Sequence, residues 1–225
     1  MPPELLTNML EEMNTHAAIF DLDGVLVLTR RYHLKAWNAL CDAHGWKRVE
    51  AYGEEIETLD TVLAENGVNA GREEQEALLD EKRRYFEHSI SGMESEDFFP
   101  GAIGFVIELR AHEVLTAIAA SSPAARRVIE SLDMGELFDA IVVGEELGLN
   151  GVGPELYRRT LRELGVKAED SIAFSDDNRN IEVADALGIG TVGVGVPREL
   201  TAAEFVVSNF SDIEFTTFLR TGQVA

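Results

Sequence analysis

Two aspartates spaced two apart, Asp21 and Asp23, follow a short apolar run and precede Gly24. A carboxylate so placed can attack phosphorus and form an aspartyl phosphate. A second carboxylate beside it can protonate the leaving oxygen and later deprotonate the incoming one. Gly24 permits the tight turn that brings both side chains to one place. A third acid, Asp176, stands far along the chain in Ser175-Asp176-Asp177. Together these acids offer the hard oxygen ligands that magnesium prefers. A divalent cation would offset the repulsion between Asp21 and a phosphate dianion. An isolated Asp-x-Asp-Gly reads as an ordinary turn, so its weight depends on the elements that hold it.

Those elements alternate in a regular way. Ala17-Ala18-Ile19-Phe20 is an apolar run stopped by Asp21 and Gly24, which predicts a strand. Residues 4–13 predict a short helix leading into it. From 30 to 98 the pattern is helical without a clear strand. Leu34, Trp37, Leu40, Cys41 and His44 form one stripe, and further helices are expected near 54–65 and 72–90. After Phe99-Pro100-Gly101 the rhythm changes. A helix through Ile103, Val106, Ile107 and Leu109 precedes a strand over 114–119. Helices over 123–133, 154–164 and 179–187 then alternate with strands over 140–143, 171–174 and 190–194. A last short strand is expected at 205–207.

Alternation of this kind predicts an α/β, Rossmann-like parallel sheet with helices on both faces. The helical block is then an inserted, small all-α cap over 30–98, with the core formed by 1–29 and 99–225. Open sheets of this class place ligands beyond the carboxyl ends of their strands. Candidate site residues are therefore Asp21 and Asp23, Ala120-Ser121-Ser122, the loop after Val143, and Ser175-Asp176-Asp177.

Composition narrows the partners. The chain has 225 residues, 19 Lys plus Arg against 41 Asp plus Glu, and a net charge of −22. Such a surface repels nucleic acid and anionic membranes, so neither is expected as a partner. No run approaches the roughly 18 to 20 apolar residues needed to cross a bilayer. The acidic N-terminal stretch does not read as a secretory signal. Cys41 is the single cysteine, which rules out an internal disulfide and fits a cytoplasmic location. The expected partner is a small phosphorylated substrate, and the expected state a monomer or weak homodimer.

Phe20-Asp21-Leu22-Asp23-Gly24-Val25-Leu26 resembles the first motif of the haloacid dehalogenase superfamily. Tyr32-His33-Leu34-Lys35-Ala36-Trp37 resembles the start of the helical cap in its β-phosphoglucomutase-like branch. Phe99-Pro100-Gly101, Ser121-Ser122-Pro123 and Leu137-Phe138-Asp139-Ala140-Ile141 are similar to that branch at matching spacing. The resemblance implies a Rossmann-like core, a small helical cap, magnesium, and attack by the first aspartate. Asp23 argues against a true dehalogenase, which lacks the second acid and the metal. On this reading Asp21 and Asp23 are catalytic. Asp21, Asp176 and the backbone carbonyl of Asp23 hold the metal.

The chain departs from the family in four places. Ala120 stands where the second motif carries Ser or Thr, leaving Ser121 and Ser122 as hydroxyl donors for the phosphate. Gly151 stands where the third motif carries a lysine, and loss of such a preorganised charge donor costs about 10²- to 10³-fold in rate. Ser175 replaces the first of two adjacent acids in the fourth motif. Tyr52-Gly53-Glu54-Glu55-Ile56-Glu57 has only acids where the branch grips the distal phosphate of a sugar bisphosphate. Arg179, three residues after Asp176, is the expected stand-in for the missing lysine, with Arg126 and Arg127 as further cations. His33 is expected near the junction of core and cap, among the substrate-binding residues. Trp37 reads as cap core and Cys41 as a small buried hydrophobe.

The expected activity is that of a magnesium-dependent phosphatase or phosphomutase-like enzyme acting on a sugar-phosphate class metabolite. The alternative is a catalytically degenerate relative that binds a phosphorylated ligand or a protein partner with little turnover.

Overall fold

The computed structural model describes residues 15–53, 55–148 and 153–213. The helix expected over 4–13 and the Gly151 position lie outside the described residues. The chain separates into two compact units. The first combines the described residues up to Leu28 with those from Ser95 onward, and the second is Thr29–Glu94.

The first unit is a six-stranded sheet built from β1 (Ala17–Phe20), β2 (Leu115–Ala120), β3 (Ala140–Val143), β4 (Ser171–Ser175), β5 (Gly190–Val194) and β6 (Phe205–Val207). Its order is β3-β2-β1-β4-β5-β6, and every neighbouring pair is parallel. All four residues of β1 are buried. This explains its unbroken apolar run, since a parallel sheet is covered on both faces.

Successive side chains of a strand point to opposite faces, and the two faces pack differently here. Ile19, Ala119 and Ala173 form one cluster with Leu156, Tyr157 and Leu161 and with Ala184. The first three of those partners lie on a helix over Pro154–Leu164 and the last on one over Asn178–Asp185. On the other face Phe20 stacks on Phe174 at 4.8 Å between centroids. Phe105 meets Phe20 edge-on at 6.2 Å, and Phe210 stacks on Phe105 at 5.1 Å. Phe105 belongs to a helix over Ala102–Ala111. The α/β class with helices on both faces is as the sequence pattern predicts.

The second unit holds α1 (Arg30–His44), α2 (Glu55–Glu65) and α3 (Arg72–Ile90). Continuing the numbering, the helices of the first unit are α4 (Ala102–Ala111), α5 (Ala125–Ser131), α6 (Pro154–Leu164) and α7 (Asn178–Asp185). Trp37 and Leu40 of α1 pack with Leu59 and Leu63 of α2 and Leu78 of α3. Two positions depart from the expected stripe on α1. Leu34 is half-buried and His44 exposed, while Tyr32 and Ala36 are buried instead. His44 sits in the last turn, just before Gly45 ends the helix at φ 67°. Its ring stacks on Trp46 at 4.5 Å rather than entering the core.

The second unit ends at Glu94 rather than running on to 98. Residues 95–98 are tied to the first unit by backbone hydrogen bonds. Leu28 N–H donates to the Asp97 carbonyl at 2.7 Å, and Phe99 N–H to the Leu26 carbonyl at 2.9 Å. Val27 also forms an antiparallel bridge with Phe98.

Candidate active site

Strand register decides which residues meet at the sheet edge. Phe20 is level with Phe174 of β4 and with Ile118 of β2. The next residues, Asp21 and Ser175, therefore emerge side by side, and Asp21 N–H donates to the Phe174 carbonyl at 2.9 Å. With β1 between β2 and β4, the residues just beyond Phe20, Ala120 and Ser175 leave the sheet at the same edge.

The segment after β1 turns back at once. Leu26 and Val27 N–H both donate to the Leu22 carbonyl at 3.0 Å, and Gly24 N–H donates to the Val27 carbonyl at 2.9 Å. Gly24 has φ +74°, and a Cβ built there would lie 1.9 Å from Asp176 Oδ2. A side chain at position 24 would thus displace the Asp176 carboxylate. The turn brings Asp23 back toward its neighbours, and its charge is felt by both Asp21 and Asp176.

Asp21 Oδ2 accepts two short hydrogen bonds. One comes from Ser175 Oγ at 2.5 Å and the other from Asn180 Nδ2 at 2.5 Å. Ser175 is 1% exposed and Asn180 7%. Burial pushes the Asp21 carboxyl up to about 7. Ser175 and Asn180 pull it down, while the charges of Asp176 and Asp23 raise it further. Asp176 is exposed. Protein atoms nonetheless strip water from its carboxylate, and desolvation followed by the Asp23 charge raises it to about 6. Tyr157 of α6 is buried at 3% exposure. Burial holds its phenol above the usual range, and the Asp21 charge adds to this.

Asp21, Asp23 and Asp176 are therefore brought together, as the spacing predicts. Ser121 and Ser122, both half-buried, lie just past the end of β2 next to β1. Arg179 does not stand over the nucleophile in the hydrogen bonds the structure shows. Asp177 caps α7 by accepting from Arg179 N–H at 2.7 Å, and its other oxygen takes the Arg179 guanidinium at 3.1 Å. With its side chain 67% exposed, Arg179 is a solvated partner of Asp177. Arg126 is engaged bidentately by Glu146, at 2.9 Å for each bond. The pairs the structure gives for Arg179 and Arg126 are thus with Asp177 and Glu146.

His33 lies in the second unit. Its ring stacks on Phe86 at 4.0 Å, and Nδ1 lies 3.0 Å from Lys82 Nζ. Burial, then the Lys82 charge, lowers His33 to about 3, so the ring is neutral and accepts from the ammonium. Lys82 is 2% exposed. It pairs with Glu55 at 2.5 Å and lies over the Trp37 ring at 5.3 Å from its centroid.

Sequence reasoning missed two features. Lys82 shares a stripe with Leu78, Phe86 and Ile90 at i, i+4 spacing, and all four are buried on α3. A lysine on an apolar stripe was the available signal. Asn180 lies in the first turn of α7, four residues after Asp176, but nothing local pointed it at Asp21.

The donor set fits magnesium. Among the described residues no three acidic, histidine or cysteine side chains form a ready cage. The expected set contains only two carboxylates and one backbone carbonyl, all hard oxygens. Asp21 and Asp176 are both held above the normal carboxylate range, mainly by desolvation, with the Asp23 charge adding to both and the Asp176 charge adding to Asp21. A divalent cation would offset those charges.

Residues 15–188 match the haloacid dehalogenase-like hydrolase family. The chain is 28% identical over 206 residues to the β-phosphoglucomutase of Bacillus subtilis, covering 88% of this chain and 91% of that protein. It is 26% identical to a phosphorylated carbohydrates phosphatase of Thermotoga maritima, covering 77% of this chain and 82% of that one. The crystal structure of a β-phosphoglucomutase from Clostridium difficile superimposes with a TM-score of 0.73 at 25% identity, covering 90% of this chain and 94% of that chain. The acidic edge of a parallel sheet, the inserted helices and these similarities agree, and the chain belongs to the haloacid dehalogenase-like hydrolases.

Proposed function

We propose that this protein hydrolyses the phosphoric monoester of a small metabolite, of the sugar-phosphate class, through an aspartyl phosphate on Asp21. The observation that carries the proposal is the convergence of Asp21, Asp23 and Asp176 at one sheet edge, with Asp21 held by Ser175 and Asn180. Relatives whose names denote sugar-phosphate chemistry support the substrate class.

A carboxylate oxygen of Asp21 attacks phosphorus, and the bond from phosphorus to the ester oxygen breaks. Asp23, protonated at that moment, gives its proton to the leaving oxygen. Asp23, now ionised, takes a proton from water as that water attacks the phosphoaspartate. The bond between phosphorus and Asp21 breaks, releasing inorganic phosphate and restoring both acids. Magnesium, held by Asp21, Asp176 and the Asp23 carbonyl, would supply charge neutralisation for the phosphate. Ser121 and Ser122, just past the end of β2, would donate to phosphate oxygens.

Hydrolysis is favoured over phosphate transfer within the substrate. Transfer needs a grip on the second phosphate of a bisphosphate, and the stretch from Tyr52 to Glu57 offers only acids. Lys82, the buried cation of that unit, is already paired with Glu55.

The test is magnesium-dependent phosphate release from a panel of phosphate esters, with Asp21→Asn in parallel. Turnover that requires magnesium and disappears in Asp21→Asn supports the proposal. Folded protein with no release above the Asp21→Asn background supports the alternative, a binding protein with little turnover.

A further inference from the structure

A carboxylate ligand is only as well placed as the backbone that carries it, and Asp176 stands in the short turn between β4 and α7. Its Oδ2 fills the space beside the bare Cα of Gly24. Some bonds that hold this turn are internal to it. Ser175 Oγ accepts the Asp177 N–H at 3.2 Å, and Asp177 caps α7 through the Arg179 N–H at 2.7 Å. Asn178 reaches outside. Its Nδ2 donates to the Glu199 carbonyl at 2.6 Å, and its Oδ1 accepts the Ala202 N–H at 3.1 Å. A carbonyl only accepts and a backbone N–H only donates, so each end of this amide has one role. The partners lie 21 and 24 residues further along the chain, in the loop between β5 and β6. That loop is itself seated. Gly195 N–H donates to the Val207 carbonyl at 2.8 Å, and the Glu199 and Leu200 N–H groups both return to the Val196 carbonyl. Leu200 is buried and lies so close to β5 that a Cβ on Gly193 would come within 3.0 Å of its Cδ1. The missing side chain on Gly193 lets the loop settle directly on the strand next to β4.

We propose that Asn178 is a positioning residue for Asp176, pinning the turn between β4 and α7 to the β5–β6 loop so that the loop sets where the carboxylate stands. The proposal rests on the reading of Asp176 as a magnesium ligand. It adds that a side chain outside the ligand set, and a loop beyond the next strand, govern metal affinity. Asn178 acts through the backbone of the turn and ligates nothing. Magnesium demands near-octahedral geometry at about 2.0 to 2.1 Å, so a carboxylate free to drift is a poorer ligand. Residues that orient metal ligands from behind typically change affinity by about 10- to 100-fold.

The test measures magnesium binding to the whole chain by titration calorimetry in the parent, Asn178→Ala and Arg198→Ala, and pairs it with metal-free crystal structures. Asn178→Ala removes both bonds to the loop. Because alanine is the best helix former, a weakened α7 does not explain a loss in that variant. Its magnesium Kd should rise about tenfold or more. Phosphate release should need correspondingly more magnesium, with kcat at saturating metal within about threefold of the parent. Arg198 is exposed in the same loop and pairs with Glu199, so Arg198→Ala should leave the Kd within about twofold. In metal-free crystals of Asn178→Ala the Asp176 carboxylate should shift by about 1 Å or split between conformers. Asn178 is only half-buried, and thermal melting in EDTA checks that both variants fold.

Two results would overturn the proposal: a magnesium Kd within about twofold of the parent in Asn178→Ala, or an Asp176 carboxylate that keeps one unchanged position in its metal-free crystals. If the parent itself binds no magnesium, the metal reading fails. The crystallographic comparison then decides the pin by itself.

Discussion

Asp176 Oδ2 occupies the space where a Cβ on residue 24 would stand, 1.9 Å from that position. The two residues belong to segments far apart in the chain, and each constrains the other. Gly24 is therefore glycine for two reasons. Its φ of +74° disfavours any L side chain, and its bare Cα gives the third carboxylate room.

Gly24→Ala should therefore act in two ways. The left-handed conformation alone should cost about 1 to 2 kcal/mol of stability. Displacement of Asp176 should cost much more in function, about 10²-fold or more in kcat/KM. Thermal melting and steady-state phosphate release check the two parts separately. Activity within about threefold of the parent would mean that Asp176 is not needed where the structure puts it.

The raised carboxyl groups predict how the metal-free protein responds to pH. Asp21 and Asp176 ionise near 7 and 6 in the folded state, against 3.8 for the ordinary group. Between about pH 4 and pH 7 the folded state holds protons that the unfolded chain has released. The stability they contribute is complete below 3.8 and is lost as pH rises through 6 and 7. Urea midpoints in EDTA should therefore fall over that range, and less steeply in Asp21→Asn. Adding magnesium should recover stability most at the high end, where both acids are ionised and free to bind. A midpoint trend identical in parent and Asp21→Asn would refute the assignment to Asp21.

In the second unit, Glu55 offsets the charge of the buried Lys82, so Glu55→Gln should destabilise by about 1 to 2 kcal/mol. Lys82→Met removes the ammonium while keeping most of its volume, and buried ions replaced by apolar groups are often neutral or stabilising. Its stability should stay within about 1 kcal/mol of the parent. The same substitution removes the charge that helps depress His33, so the His33 pKa should rise from about 3, as read by NMR titration. His33 works in the opposite sense to Asp21. Its folded pKa is depressed, so its contribution is present above 6.5 and is lost as pH falls toward 3.

Arg179→Ala tests the cation that spacing nominates to replace the missing lysine. Its guanidinium is exposed and bonded to Asp177, and such pairs contribute little. kcat/KM should remain within about twofold of the parent. A tenfold loss would show that Arg179 leaves Asp177 for the phosphate during turnover.

The sequence by itself determined the sheet, the inserted helices and the acids at the strand ends. Strand and helix periods are local patterns, and a parallel sheet delivers the residues just past each strand to a common edge. Asp21, Asp23 and Asp176 were legible for that reason. Only the tertiary structure decided which neighbours those acids meet. Ser175 and Asn180 reach Asp21 across 154 and 159 residues of chain, through a register that sets Phe20 level with Phe174. Arg179 was within sequence range of the site, but its pairing with Asp177 depends on rotamer and nearest counter-charge, which are not written in spacing. Lys82 is, by sequence, one helix lysine among several. It is buried because α1 supplies an aromatic wall and a ring nitrogen in His33, and α2 a carboxylate in Glu55. Such side chains are placed by contacts between elements, and no single element's periodicity records them.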